Sequence, residues 1–279
     1  MQLKDVLIKN GFHFNKRFGQ NFLTDKNLLS SIVDRAGIKE TDTVIEVGVG
    51  GGTLTSAISD RAKRVIGFEI DQNLKPVLSE TLAGRENIEI IFKDVMKISM
   101  KEIEEIAGGR FSVVANLPYY VTTPILMKFI EESDMVDSIT VTVQEEVADR
   151  LCAKPSSEEY GAITASIDAV GNAEKIMRID RKMFYPAPNV DSAVVKISIN
   201  KEKYDIPDIK AYRAVVRCAF QSRRKTLVNN VMLAFKTDRK TAEEIVYEVK
   251  GDIMVRGETL STEDFVKFSK LVIAKNLKY

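Results

Sequence analysis

The chain of 279 residues has a single histidine and two cysteines. With His13 as the only imidazole, neither a histidine-based triad nor a histidine cluster around zinc is expected. Cys152 and Cys218 form no disulfide framework and no metal-ligand spacing, so the sequence points to a reducing cytoplasm and to no metal site. No apolar run approaches the roughly 18 residues of a membrane span. The N-terminal stretch MQLKDVLIKNGFHF has neither the apolar centre nor the cleavage site of a secretory signal. What remains is an ordinary globular composition, 44% hydrophobic and 29% charged, with length for one large domain and a small appendage.

The near-absence of net charge, +1, conceals an asymmetry. Residues 1–200 carry a net −5 and residues 201–279 a net +6. A basic tail on a mildly acidic body suits a polyanionic partner docked partly by the tail, although a solvated basic face gives the same counts. The domain boundary is placed near residue 200, after which a polar patch (NKEKYDIPD) leads into four helical stretches at 209–220, 224–235, 240–249 and 261–274. Ser261 followed by Asp264 marks an N-cap.

Between residues 43 and 144 short apolar runs alternate with amphipathic stretches. Thr43–Val47, Arg64–Phe68, Ile88–Ile91, Phe111–Ala115 and Ser138–Gln144 read as strands, and 53–62, 73–82 and 124–131 as helices. This alternation predicts an α/β fold with a parallel sheet covered by helices. From 155 to 200 the pattern turns Pro-punctuated and β-like, ending in a strand at Ser192–Ile199. Ligands of such sheets sit outside the carboxyl ends of the strands, and there the informative residues fall.

The first strand runs into VIEVGVGGGTLT, where Gly48 and Gly50 permit a sharp turn and close backbone approach, and the next helix offers free N–H groups. The spacing is G-x-G-x-G, with Thr53 in the last position of a dinucleotide fingerprint. That departure and the missing catalytic histidine disfavour a nicotinamide-dependent dehydrogenase. Glu69 closes the second strand, where a carboxylate can accept both hydroxyls of an adenosine ribose. Asp94 follows the third, placed either to accept from an adenine amino group or simply to cap a helix. Together they fit an adenosyl ligand without a pyrophosphate.

The fourth strand ends in Asn116-Leu117-Pro118-Tyr119-Tyr120. The C6 amine of adenine is a poor nucleophile because its lone pair is delocalised into the ring. The Asn116 carboxamide oxygen and the Leu117 carbonyl can accept its two hydrogens and hold the nitrogen toward a methyl donor. Pro118 fixes the local backbone. Tyr119 offers a ring to the extracted base.

These residues resemble the [DN]-P-P-[YF] motif of amino-group methyltransferases, in the N-L-P-Y form of the rRNA adenine dimethylase family and of its small-subunit branch. The resemblance covers nearly the whole chain, through KRFGQNFLTD (16–25), EVGVGGGTLT (46–55), NLPYYVTTPI (116–125), FYPAPNVDSAV (184–194) and QSRRKTL (221–227). It implies a Rossmann-like class I methyltransferase sheet with helices on both faces, spanning 1–200, and a small all-α, RNA-binding C-terminal domain over 201–279. It implies contacts to S-adenosylmethionine from Asn21, Leu23, Gly48, Glu69, Asp94 and Asn116, with Gly50 in the same turn. It also implies a monomer acting on 16S rRNA and the immature 30S subunit, with two methyls on each of two adjacent adenosines in a hairpin loop near the 3′ end. Val49 departs from the family's E-[IV]-G-P-G, which touches cofactor affinity at most.

On the target side, Pro186 and Pro188 stiffen a loop headed by Phe184, which with Tyr119 could sandwich a flipped adenine; Phe184 as a core anchor is the alternative. Arg223, Arg224 and Lys225 are read as opening a tail helix, where cations oppose the helix dipole and phosphate contact would explain them. Lys16 and Arg17 suit the same role or a solvated face, and Tyr160 reads as structural. Two other readings stay open: a large-subunit rRNA methyltransferase of the macrolide-resistance type, and a ribosome-assembly factor with vestigial catalysis.

Overall fold

The computed structural model describes residues 3–15, 19–118 and 120–279. Its elements in chain order begin with α1 (Leu3–Lys9), β1 (Phe22–Leu23), α2 (Lys26–Ala36), β2 (Thr43–Val47), α3 (Thr53–Ser59) and β3 (Arg64–Phe68). Then come α4 (Lys75–Thr81), β4 (Ile88–Ile91), α5 (Met100–Ala107), β5 (Phe111–Asn116), α6 (Thr122–Glu132), β6 (Val136–Gln144) and α7 (Glu145–Leu151). The chain continues through α8 (Ala162–Val170), β7 (Gly171–Ile179), β8 (Phe184–Tyr185) and β9 (Ser192–Ile199). It ends in α9 (Ile209–Phe220), α10 (Leu227–Phe235), α11 (Arg239–Lys250) and α12 (Thr262–Ala274).

Seven strands form one sheet in the order β4-β3-β2-β5-β6-β9-β7, with helices on both faces. The pairs β4–β3, β3–β2, β2–β5 and β5–β6 are parallel, and β9 runs antiparallel to β6. The central strands are buried along almost their whole length, as strands covered on both faces must be, and their Val- and Ile-rich runs suit that burial. Because the strand order reverses between β2 and β5, the crevice expected of an open α/β sheet opens there, at the carboxyl ends.

An apolar cluster formed by Leu29, Ile32 and Val33 of α2 with Leu54 and Ile58 of α3 packs onto Val44, Val65 and Val114 of the sheet. A second joins Leu3, Val6 and Leu7 of α1 to Val77 and Leu78 of α4, and holds Phe22 and Val49. Phe12, Phe14, Phe22 and Tyr185 meet ring to ring at centroid distances of 5.4–6.3 Å, which ties the N-terminal segment to the segment that carries β8.

The chain divides into two compact units, Met1–Ala148 with Glu174–Ile199, and Asp149–Ala173 with Asn200–Tyr279. The single boundary expected near 200 coincides with the last of three crossings, at 148/149, 173/174 and 199/200. Residues 149–173 belong with the tail helices, because their polar groups find partners there. The Tyr160 hydroxyl donates to the Leu260 carbonyl (3.0 Å) and the Tyr212 hydroxyl to the Ala165 carbonyl (3.0 Å), which bears out Tyr160 as structural. The β-like reading of 155–200 is also corrected at 162–170, which is α8, packed on α9 and α12. In α12 the Ser261 and Asp264 cap closes as a reciprocal capping box. No helix among the described residues is long and apolar enough to cross a membrane.

Candidate active site

At the end of β2 the chain must turn from strand to helix within five residues. Gly48 (φ +77°) and Gly50 (φ +56°) do so in the left-handed region. Gly50 has a second reason to lack a side chain, since a Cβ there would lie 2.7 Å from the Phe22 ring. The Gly48 N–H donates to the Phe68 carbonyl at 2.8 Å, so the tips of β2 and β3 are joined beside the turn.

Glu69, the first residue after β3, is buried and accepts three main-chain N–H groups. Gly50 donates to Oε2 (2.8 Å), and Ile70 and Asp71 donate to Oε1 (2.7 and 2.8 Å). The carboxylate therefore holds the glycine turn in place, a task the sequence did not disclose. Burial raises its pKa from the ordinary carboxyl value, opposed by these N–H donors. Asp94 caps the short turn after β4, accepting from the Met96 N–H (3.0 Å), and also faces the cavity. The cap and the lining role expected as alternatives coexist in one side chain.

Asn116, the last residue of β5, donates its Nδ2 to the Asn21 carbonyl at 2.9 Å. The segment bearing Asn21 is fastened at two further points. The Gln20 side chain donates to Asp71 (2.9 Å), and the Thr53 hydroxyl donates to the Leu23 carbonyl (2.7 Å). Its end, β1, pairs antiparallel with β8, setting Phe22 against Tyr185 and Leu23 against Phe184. The segment thus forms a strap over the sheet rim.

Strap, glycine turn and strand ends enclose a cavity of about 300 Å³. It is lined by Asn21, Leu23, Gly48, Gly50, Glu69, Asp94, Asn116, Leu117, Pro118 and Phe184, so the residues expected at the cofactor come together with Leu117, Pro118 and Phe184, and the tail cations are not among them. Phe184 is only 5% exposed and belongs to the apolar cluster of α2 and α3, as a core anchor does, and it also lines the cavity. Tyr119, Lys16 and Arg17 lie outside the described residues. Sequence reasoning missed Phe22, Glu46, Ile70, Met96 and Tyr120, which also line the cavity. Ile70 and Met96 stand one and two positions beyond the acids at the strand ends, a spacing that could have found them.

Glu46 is the unusual member. It is 1% exposed, and neither carboxyl oxygen makes a hydrogen bond among the described residues; the nearby Thr55 hydroxyl is likewise unpaired. Burial pushes its pKa from 4.5 up to about 8, against the easing effect of Thr55 and with reinforcement from Glu69.

The three tail cations do not open a helix. Lys225 closes a turn back to the Ser222 carbonyl, and α10 starts only at Leu227, with Thr226 as its N-cap. Arg223 is occupied: its guanidinium pairs with Glu258 (3.3 Å) and donates to the carbonyls of Glu158 (2.8 Å) and Tyr160 (3.3 Å), clamping two loops of the second unit. Arg224 and Lys225 are exposed and make no ion pair among the described residues.

A sheet with parallel strands from β4 to β6, β9 antiparallel to β6, and a cavity at the point where the strand order reverses, is the arrangement of a Rossmann-like class I methyltransferase. The fold is that of a dimethyladenosine transferase from Plasmodium falciparum (TM-score 0.79, 23% identity, 92% of this chain and 98% of that one). It also matches the 23S rRNA methyltransferase ErmE (TM-score 0.68, 24% identity, 91% and 100%). In sequence, the chain is 44% identical to the ribosomal RNA small subunit methyltransferase A of Bacillus cytotoxicus over 282 residues, covering 99% of this chain and 97% of the relative. The corresponding Bacillus mycoides protein is also 44% identical, over 281 residues. Residues 11–273 match the ribosomal RNA adenine dimethylase family, and the chain belongs to that family.

Proposed function

We propose that the chain transfers methyl groups from S-adenosylmethionine to N6 of adenosine in ribosomal RNA. The substrate would be two adjacent adenosines in a hairpin loop near the 3′ end of 16S rRNA, in the maturing small subunit. The chain would act as a monomer in the cytoplasm. The 44% identity to relatives named for the small subunit supports this target over the large subunit.

The observation that carries the reading is the held amide of Asn116. Its Nδ2 is committed to the Asn21 carbonyl, so the planar group turns Oδ1 the other way, as the end left for a second partner. An amine bearing two hydrogens needs two acceptors, and Oδ1 with the neighbouring Leu117 carbonyl would supply them at the cavity wall. Held so, the nitrogen keeps its lone pair outside the hydrogen-bond plane, and positioning of this kind is worth about 7–11 kcal/mol at most. No strong base is required, because methyl transfer to the neutral amine gives an N6-ammonium that is acidic and readily loses its proton.

The residues present fit the cofactor. The glycine cradle leaves backbone approachable, Glu69 and Asp94 place carboxylates after β3 and β4, and Phe22, Ile70 and Met96 give apolar cover. The buried, unpaired Glu46 carboxyl offers an acceptor deeper in the same cavity. Bound there, S-adenosylmethionine would supply an electrophilic methyl group. Phe184, with Tyr119, would stack the extruded base.

Incubating the protein and labelled cofactor with small subunits from a strain lacking the modification is expected to yield N6,N6-dimethyladenosine at two neighbouring positions. Label confined to large-subunit RNA, or absent from both, would overturn the assignment.

The basic second unit would dock the RNA, with Arg224 and Lys225 on phosphates. Reversing both charges is expected to weaken RNA binding and to reduce the slope of log affinity against log salt by roughly 2. An unaltered slope makes them a solvated face. Arg223 is the wrong residue for this experiment, because reversing it would also break its clamp on the Glu158 and Tyr160 carbonyls.

A further inference from the structure

Tyr120 lines the mouth of the cavity, yet 61% of it is exposed. Its place is set locally. The Val121 N–H (3.1 Å) and the Thr122 hydroxyl (3.2 Å) both donate to the Pro118 carbonyl, closing a turn between β5 and α6 with Tyr120 at its corner. On one side the ring edge meets the strap at Gly19, a left-handed residue (φ +55°). A Cβ at Gly19 would stand 3.3 Å from Pro118 Cβ and 3.7 Å from Tyr120 Cε1. Phe184, almost wholly buried, faces whatever lies inside the cavity, whereas Tyr120 faces what lies just outside.

We propose that Tyr120 is the platform on which the nucleotide next to the target adenosine stacks. The inference rests on the reading of the chain as an RNA adenosine methyltransferase. Extruding one base leaves its neighbour without a stacking partner, and an aromatic ring replaces it whatever the base, since every base has a π face. The site therefore selects an unpaired, unstacked neighbour rather than a particular sequence. It also suits two consecutive targets. While the first adenosine is in the cavity the second waits on Tyr120, and moving the RNA by one nucleotide brings the second into the cavity.

The test compares wild type, Tyr120→Ala and Tyr120→Phe on small subunits lacking the modification. A hairpin oligonucleotide carrying 2-aminopurine beside the target adenosine reports stacking. In Tyr120→Ala the KM for subunits is expected to rise about tenfold, the size of one lost base–aromatic stack. Tyr120→Phe should restore KM. The 2-aminopurine fluorescence should be quenched on binding wild type and the phenylalanine variant but not the alanine variant. Equal fluorescence with alanine and wild type, or a KM that phenylalanine does not restore, overturns the proposal. If wild type itself transfers no methyl to subunits, the functional reading fails and takes this one with it. If wild type transfers and the alanine variant matches it in KM, only the role of Tyr120 fails.

Discussion

Replacing Asn116 by alanine is expected to lower methyl-transfer turnover by on the order of a hundredfold or more while cofactor binding stays measurable. The size follows from positioning, where a displacement of about 1 Å of a reacting group costs about that factor. Two losses combine in this variant: the Oδ1 acceptor for the amine, and the Nδ2 donor that pins the strap through the Asn21 carbonyl. Asn116→Asp separates them, since it keeps acceptors but loses the donor and sets a carboxylate against that carbonyl. Single-turnover transfer with equilibrium cofactor titration checks both variants. Unchanged turnover in Asn116→Ala would remove Asn116 from the chemistry.

The second large effect concerns stability. Glu46 has its pKa raised in the folded state, from 4.5 to about 8, so the folded chain keeps a proton that the unfolded chain gives up. Below about pH 4.5 both states are protonated and the residue costs nothing. As pH rises from 4.5 toward 8, stability falls by roughly 1.4 kcal/mol per unit, and above 8 the full penalty of several kcal/mol is present. Glu46→Gln is neutral at every pH. It should match wild type at pH 5 and melt higher at pH 8, by on the order of 5–10 °C. Thermal unfolding across that range decides the matter. A constant difference between the two proteins would mean that Glu46 is ionised throughout.

The strands of the sheet were legible because a strand covered on both faces is a short apolar run bounded by turns, and β2 and β3 fall where those runs predict, as does the partly exposed edge strand β4. The tail helices were legible for a related reason, one apolar stripe per helix, with the Ser261 cap marking a start. α8 was not. Its residues, AITASIDAV, are apolar or small nearly all round, and it is helical because α9 and α12 cover it, a fact held by residues forty or more positions away. α2 escaped notice although Asp25 caps its start and Gly37, at φ +77°, ends it. Its signals are local, and the alternation of strands drew attention elsewhere.

In the site, the identities of Gly48, Glu69, Asp94 and Asn116 followed from strand ends, but their partners did not. Asn116 and Asn21 are 95 residues apart and Glu69 and Gly50 are 19 apart, distances over which no periodicity speaks. Val49, noted as a departure from the family's proline, is buried with its Cγ2 in the space a Gly67 side chain would need, so a residue of β3 is small to admit it.

The strap has a consequence for how this chain is made. Its residues are synthesised well before Phe184 and Tyr185, so β1 has no pairing partner until those two have been added. The floor of the cavity and three side-chain fastenings of its cover need residues only up to Asn116, whereas the β1–β8 pairing waits for Phe184 and Tyr185. The seat is therefore complete only once β8 has joined β1 and Phe184 has closed its wall.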